Sequence, residues 1–133
     1  MSVLVNRRVL IAGLATWLAP LLVSMGFFDG EGNLTVAAGL FHSVMSVVLA
    51  GAVAWLLVWI GRAVPLTVGT GPAIGLLWLA VSLVLDGLVL LPMTGMSAGA
   101  WVEDVALRYL AIPLVTAAMG AAVSPRSSRP AAR

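Results

Sequence analysis

Cysteine is missing from this 133-residue chain, and so is lysine. The first absence excludes disulfides, thiolate metal sites and cysteine nucleophiles. The second leaves seven arginines to carry all the fixed positive charge. Charge of either sign is scarce: charged residues make up 9% of the chain, against about one quarter in an ordinary soluble protein. The single histidine, His42, is too little for zinc, which ordinarily takes three protein ligands or more. As a haem ligand it would need a second subunit to complete a bis-histidine site. No metal and no cofactor is therefore implied. The pI near 10.5 hints at nucleic acid. The formal net charge is only +2, however, and no basic patch is interleaved with aromatics, so that partner is excluded.

What is present is apolar. Hydrophobic residues make up 62% of the chain and the mean hydropathy is +1.12. A soluble domain of this size could not bury so much apolar surface. The expected fold is all-α, a polytopic membrane protein with four antiparallel transmembrane helices forming one domain over 1–123. The spans are read at about 9–28, 34–60, 73–91 and 101–123, each about long enough for a hydrocarbon core of roughly 30 Å. Arg7 and Arg8 ahead of the first run imitate a signal peptide, but Pro20 interrupts it and no small-residue cleavage site follows, so a retained helix is expected. "GTGPAIG" (69–75) is not read as a phosphate loop, since it lacks the Lys-Ser/Thr ending. Pro72 instead opens the third helix.

The arginines set an orientation. Arg7, Arg8, Arg62, Arg126, Arg129 and Arg133 fall on one side of a four-span arrangement, and Asp29, Glu31, Glu103 and Asp104 on the other. The positive-inside rule then puts both termini in the cytoplasm. It also puts Trp55, Trp59 and Trp78 at the inner membrane boundary and Trp101 at the outer one. Residues 124–133 read as a disordered basic tail, able to touch anionic lipid.

Polar side chains inside the spans are the candidate site. His42, Asp86 and Arg108 fall roughly 12, 9 and 10 Å below the outer surface, on three different helices. Ionisable groups at such depth face a bundle interior and pair with one another. Asp86 with Arg108 is the leading pair. Arg108 has two alternatives, an exchange with Asp104 four residues earlier and an outward reach to headgroups. In either of those cases Asp86 would persist as the uncharged acid, sharing a hydrogen bond with Ser82 one turn back. Tyr109 and Ser46 complete the polar set. On the second span Gly39, Ser43 and Gly51 flank a four-residue row through His42 and Ser46, a small-residue face suited to helix contact. Pro20 and Pro113 each free a carbonyl and predict kinks in the first and fourth helices.

"LDGLVLLP" (85–92) and "RYLAIPLVTAAMG" (108–120) resemble small uncharacterised four-helix bacterial membrane proteins, over about the last third of the chain. The resemblance implies the fold and a bacterial plasma (inner) membrane location, and it supplies no activity. Thiol-oxidising four-helix families need cysteines, and small multidrug exporters centre on a glutamate in the first span, which is absent here. No motif reaches catalytic specificity. The leading expectation is an accessory protein or binder of a small hydrophobic ligand. It would have the bilayer, a larger membrane complex or homo-oligomer, and a lipid-soluble molecule as partners. The alternatives are a transporter, channel or proton relay using His42, Asp86 and Arg108, and an enzyme acting on a quinone or isoprenoid-type lipid.

Overall fold

The computed structural model describes residues 3–124; the expected basic tail, from residue 125 on, lies outside them. The described chain is all-helical, and its one β feature is an isolated bridge between Phe28 and Leu34. Helix α1 is Arg7–Met25. Asn6 caps it by accepting the Arg8 N–H at 2.9 Å, one of the amides a helix start leaves without a partner. Helix α2 is Ala38–Gly61. Helix α3, Thr70–Leu85, runs directly into a π-helical turn, Asp86–Leu90, and a short α4, Leu91–Thr94. Then come α5, Ala98–Asp104, a 3-10 turn, Ala106–Leu110, and α6, Ala111–Val123. Four stretches are long and apolar enough to cross a membrane: Arg7–Met25, Ala38–Gly61, Thr70–Thr94 and Ala106–Val123.

Three departures from the expected spans have a local cause. The second span begins at Ala38 because residues 34–35 pair back onto the first: the Thr35 N–H donates to the Phe27 carbonyl at 2.8 Å. Asp29 holds the intervening loop, its Oδ1 accepting the N–H groups of Glu31 at 2.9 Å and Asn33 at 2.8 Å. Gly32, at φ 83°, makes the reversal. Phe41 then meets the edges of Phe27 and Phe28 at centroid distances of 5.6 and 5.7 Å.

The third span widens at Asp86 because Pro92 follows. A proline has no N–H for the carbonyl four residues back, and its ring crowds that carbonyl. Here the Leu91 N–H reaches the Asp86 carbonyl, five residues back, which defines the π turn. The expected kink at Pro113 is instead a break further upstream. Val105 leaves helical geometry at φ −125°, ψ −57°. Pro113 falls in the first turn of α6, where an N–H has no intrahelical acceptor in any case. Pro20 does lie inside α1.

Helix α1 packs on α2 and α3, and α6 packs on α3 and α2, so the third and fourth spans are neighbours. Ile74 and Trp78 of α3 fill the centre with Val9 of α1, Val53 and Leu57 of α2, and Ile112 of α6, all fully buried. Trp78 is thus a core residue and not part of an interfacial belt. Its indole N–H donates to the Val9 carbonyl at 2.9 Å, and its ring lies where a Cβ on Gly13 would come within 2.7 Å. The outside is apolar as well, with Val47 73%, Trp55 76% and Leu114 70% exposed. Such a surface suits lipid far better than water.

The small-residue face of α2 is not the one that packs. Gly39, Ser43, Ser46 and Gly51 are exposed, and a Cβ on Gly39 or Gly51 would meet nothing within 4 Å. The inward row is Met45, Leu49, Val53 and Leu57, one residue round the helix. Close backbone approach occurs between α3 and α6 instead. A Cβ on Gly71 would meet the Thr116 carbonyl and come within 3.1 Å of the Gly120 Cα. One on Gly75 would fall on Thr116 Oγ1 and lie 2.8 Å from the Pro113 Cα. "GTGPAIG" therefore carries a small-xxx-small contact at Gly71 and Gly75.

Candidate functional site

Asp86 is 1% exposed, and both of its carboxylate oxygens are taken. Trp17 of α1 donates its indole N–H to Oδ1 at 2.7 Å, and Trp101 of α5 donates to Oδ2 at 2.9 Å. Indole nitrogens only donate and carboxyl oxygens accept, so donors and acceptors match in both bonds. The clasp ties the first span, the third span and the segment between the third and fourth. Tyr109, 8% exposed, sits beside the same carboxylate from the 3-10 turn.

The expected Asp86–Arg108 ion pair is not formed among the described residues. Arg108 instead feels Asp104, four residues before it, as its electrostatic partner. Ser82 makes no bond with Asp86 either: its Oγ is buried and has no hydrogen-bond partner among the described residues. His42 is half-buried, with its ring against Phe41 at 5.8 Å, and Ser46 Oγ donates to the His42 carbonyl. Neither approaches Asp86. Of the expected polar level, the structure brings together Asp86, Arg108 and Tyr109 and leaves His42, Ser46 and Asp104 outside.

Those three line a partly open cavity of about 710 Å³. Its wall from α1 is Trp17, Pro20 and Leu21, and Phe28 and Asp29 follow from the loop. Helix α2 adds Phe41, Met45 and Leu49, and the third span adds Leu90 and Met93. Most of this wall is apolar or aromatic, with a few polar groups converging, which is the usual make-up of a small-molecule site. Trp17, Trp101 and the methionines were missed by sequence reasoning. One signal was present: Trp17 lies in mid-span, where a buried indole N–H must find an acceptor, and Asp86 is the only carboxylate within the four membrane-length stretches. Among the described residues no group of three or more His, Asp or Glu is placed to hold a metal ion.

Replacing Ser82 with alanine removes a buried hydroxyl that bonds nothing among the described residues, so unfolding in detergent occurs at the parent's midpoint or above it. A clear drop in the midpoint would show that the hydroxyl has a partner. In the loop, the Asn33 backbone N–H, with smaller help from those of Glu31 and Gly32, holds the Asp29 carboxyl below its ordinary value against a weaker desolvation effect. The sign follows: a depressed carboxyl stabilises at all pH above its ordinary range and loses that contribution as pH falls through the lowered value. Amide exchange at Asn33 stays protected down to the acid edge of the carboxylate range and rises only below it. Loss of protection near neutral pH would contradict this.

Compared with family models, curated proteins and solved structures, the chain matches none of them. The fold and cavity of the described residues define the class this far: an all-helical protein with four membrane-length helices and an apolar cavity at one end.

Proposed function

We propose that this chain is an integral membrane protein of the bacterial plasma membrane that binds a small, lipid-soluble molecule in the cavity beside Asp86. The observation that carries the reading is the cavity itself. It offers about 710 Å³ of mostly apolar space with two carboxylates, a phenol and a guanidinium on its wall. Such a site takes a hydrophobic body and orients it by one polar head. The four spans are antiparallel, with both termini cytoplasmic and the cavity in the outer half, as arginine placement indicates. The absence of cysteine makes topology directly testable. Single cysteines at Glu31 and Gly99 react with an impermeant maleimide in intact cells, and one at Arg62 reacts only after permeabilisation. The reverse pattern would invert the protein.

The binding test is native mass spectrometry of the purified protein, followed by solvent extraction. A stoichiometric hydrophobic adduct is expected, and it is weakened in Leu21→Trp, whose larger side chain narrows the cavity. An adduct unaffected by that substitution would place binding elsewhere. A second reading, an accessory subunit or homo-oligomer, is supported by the outward face of α2, where Gly39, Ser43 and Gly51 are exposed and a Cβ on either glycine would meet nothing among the described residues. Gly51→Leu then changes the assembly's size and leaves the stability of the single chain intact. An unchanged assembly would remove that reading.

A further inference from the structure

The cavity has a sign. Every acidic side chain of the sequence, Asp29, Glu31, Asp86, Glu103 and Asp104, lies at this end, in the first loop, the π turn or α5. Among the described residues Arg108 is the one arginine there, with His42 near the start of α2, and Asp104 lies within electrostatic reach of Arg108. The other described arginines, Arg7, Arg8 and Arg62, are at the start of α1 and the end of α2, the opposite ends of those helices. Five acids against one arginine leave the mouth of the cavity at negative potential, and low-dielectric walls focus that field inward. Inside, Trp17 and Tyr109 stand beside the Asp86 carboxylate, and Phe28 and Phe41 add aromatic rings to the cavity wall. Ring faces attract a positive charge and gain more when water is excluded, which is how aromatic-lined sites hold quaternary ammonium groups.

Resting on the reading of the cavity as a site for a hydrophobic molecule, we infer that the molecule is a cation: a lipophilic amine, or a quaternary ammonium or phosphonium of similar bulk. The apolar wall holds its body, the aromatic rings and Asp86 hold its charge, and the rim acids draw it in. Arg108 opposes it. An anionic amphiphile would have only Arg108 in its favour and all five carboxylates against it. A neutral one would be indifferent to both.

The test compares three bulky aryl probes of different charge: tetraphenylphosphonium, triphenylphosphine oxide and tetraphenylborate. The protein is held in phosphatidylcholine nanodiscs, and binding is read by equilibrium dialysis after subtracting empty discs. The phosphonium is expected to bind at least tenfold more tightly than the borate, with the neutral oxide between them. Arg108→Gln is expected to tighten phosphonium binding severalfold, a gain that a damaged fold cannot imitate. Asp104→Asn, outside both the cavity wall and the carboxylate clasp, weakens it by removing one negative charge from the field at this end. If the oxide or the borate binds as well as the phosphonium, or Arg108→Gln weakens the phosphonium, the charge assignment is overturned and the cavity reading stands. If no probe binds in excess of empty discs, the cavity reading falls and the charge assignment falls with it.

Discussion

Asp86→Ala lowers the stability of the folded protein by roughly 2–4 kcal/mol, because the buried Trp17 indole N–H and the partly buried Trp101 one lose their acceptor together, and a fully buried orphan costs about 1–3 kcal/mol. The effect exceeds that of an ordinary polar substitution because Trp17 and Trp101 have no other acceptor among the described residues. Asp86→Asn keeps one acceptor oxygen and turns an amide N–H₂ toward the second indole, so it loses about half as much. Trp101→Phe alone leaves the buried Asp86 Oδ2 without its indole donor and costs about 1–3 kcal/mol. The measurement is denaturant or thermal unfolding in detergent, with near-ultraviolet circular dichroism recorded on each variant. The indole bands change in both Asp86 variants and stay unchanged in Ser82→Ala. An Asp86→Ala protein as stable as its parent, with unaltered indole bands, would mean that the clasp does not exist.

Gly75→Val disrupts the contact between the third and fourth spans and costs about 3 kcal/mol or more, the upper range for overpacking. The cause is geometric. The first added carbon would fall on Thr116 Oγ1 and lie 2.8 Å from the Pro113 Cα, and the latter is backbone that no rotamer change can move. Gly71→Val acts alike, through the Thr116 carbonyl and the Gly120 Cα. Gly51→Val is the control, since nothing lies within 4 Å of a Cβ there. Urea unfolding of the three variants should separate them into two damaged proteins and one intact. Equal stability of Gly75→Val and Gly51→Val would show that α3 and α6 do not approach as described.

The four spans were legible in the sequence because a long uncharged run is a local property, and the structure differs from it only where a specific contact intervenes. Residues 34–35 serve the loop rather than α2 through the Thr35 N–H to the Phe27 carbonyl. The fourth span divides at Val105. The choice of packing faces was not legible. In a soluble helix the core face is apolar and the outer face polar, but here both are apolar. Hydropathy therefore carries no phase, and the remaining cue, small size, points to Gly39 and Gly51, which lie on the side of α2 turned away from the chain's other helices. The same cue held on α3, where "GTGPAIG" was read only for its proline.

That Asp86 must be buried among partners follows from the sequence alone, since one carboxylate in an apolar run needs bonding partners wherever it sits. The partners themselves do not follow. Depth along the helices pointed to Arg108, because depth is the only coordinate a sequence supplies, whereas pairing also depends on rotation about each helix axis. That rotation is decided by how Trp78 seats on Gly13 and how Gly71 and Gly75 admit α6. Once those contacts orient the helices, the Trp17 and Trp101 indoles reach the acid, and Arg108 is left on the cavity wall. Composition determined the class of protein and the residues that could not face lipid. Only the tertiary structure decided which of them meet, because meeting is settled by side-chain volume at the helix contacts.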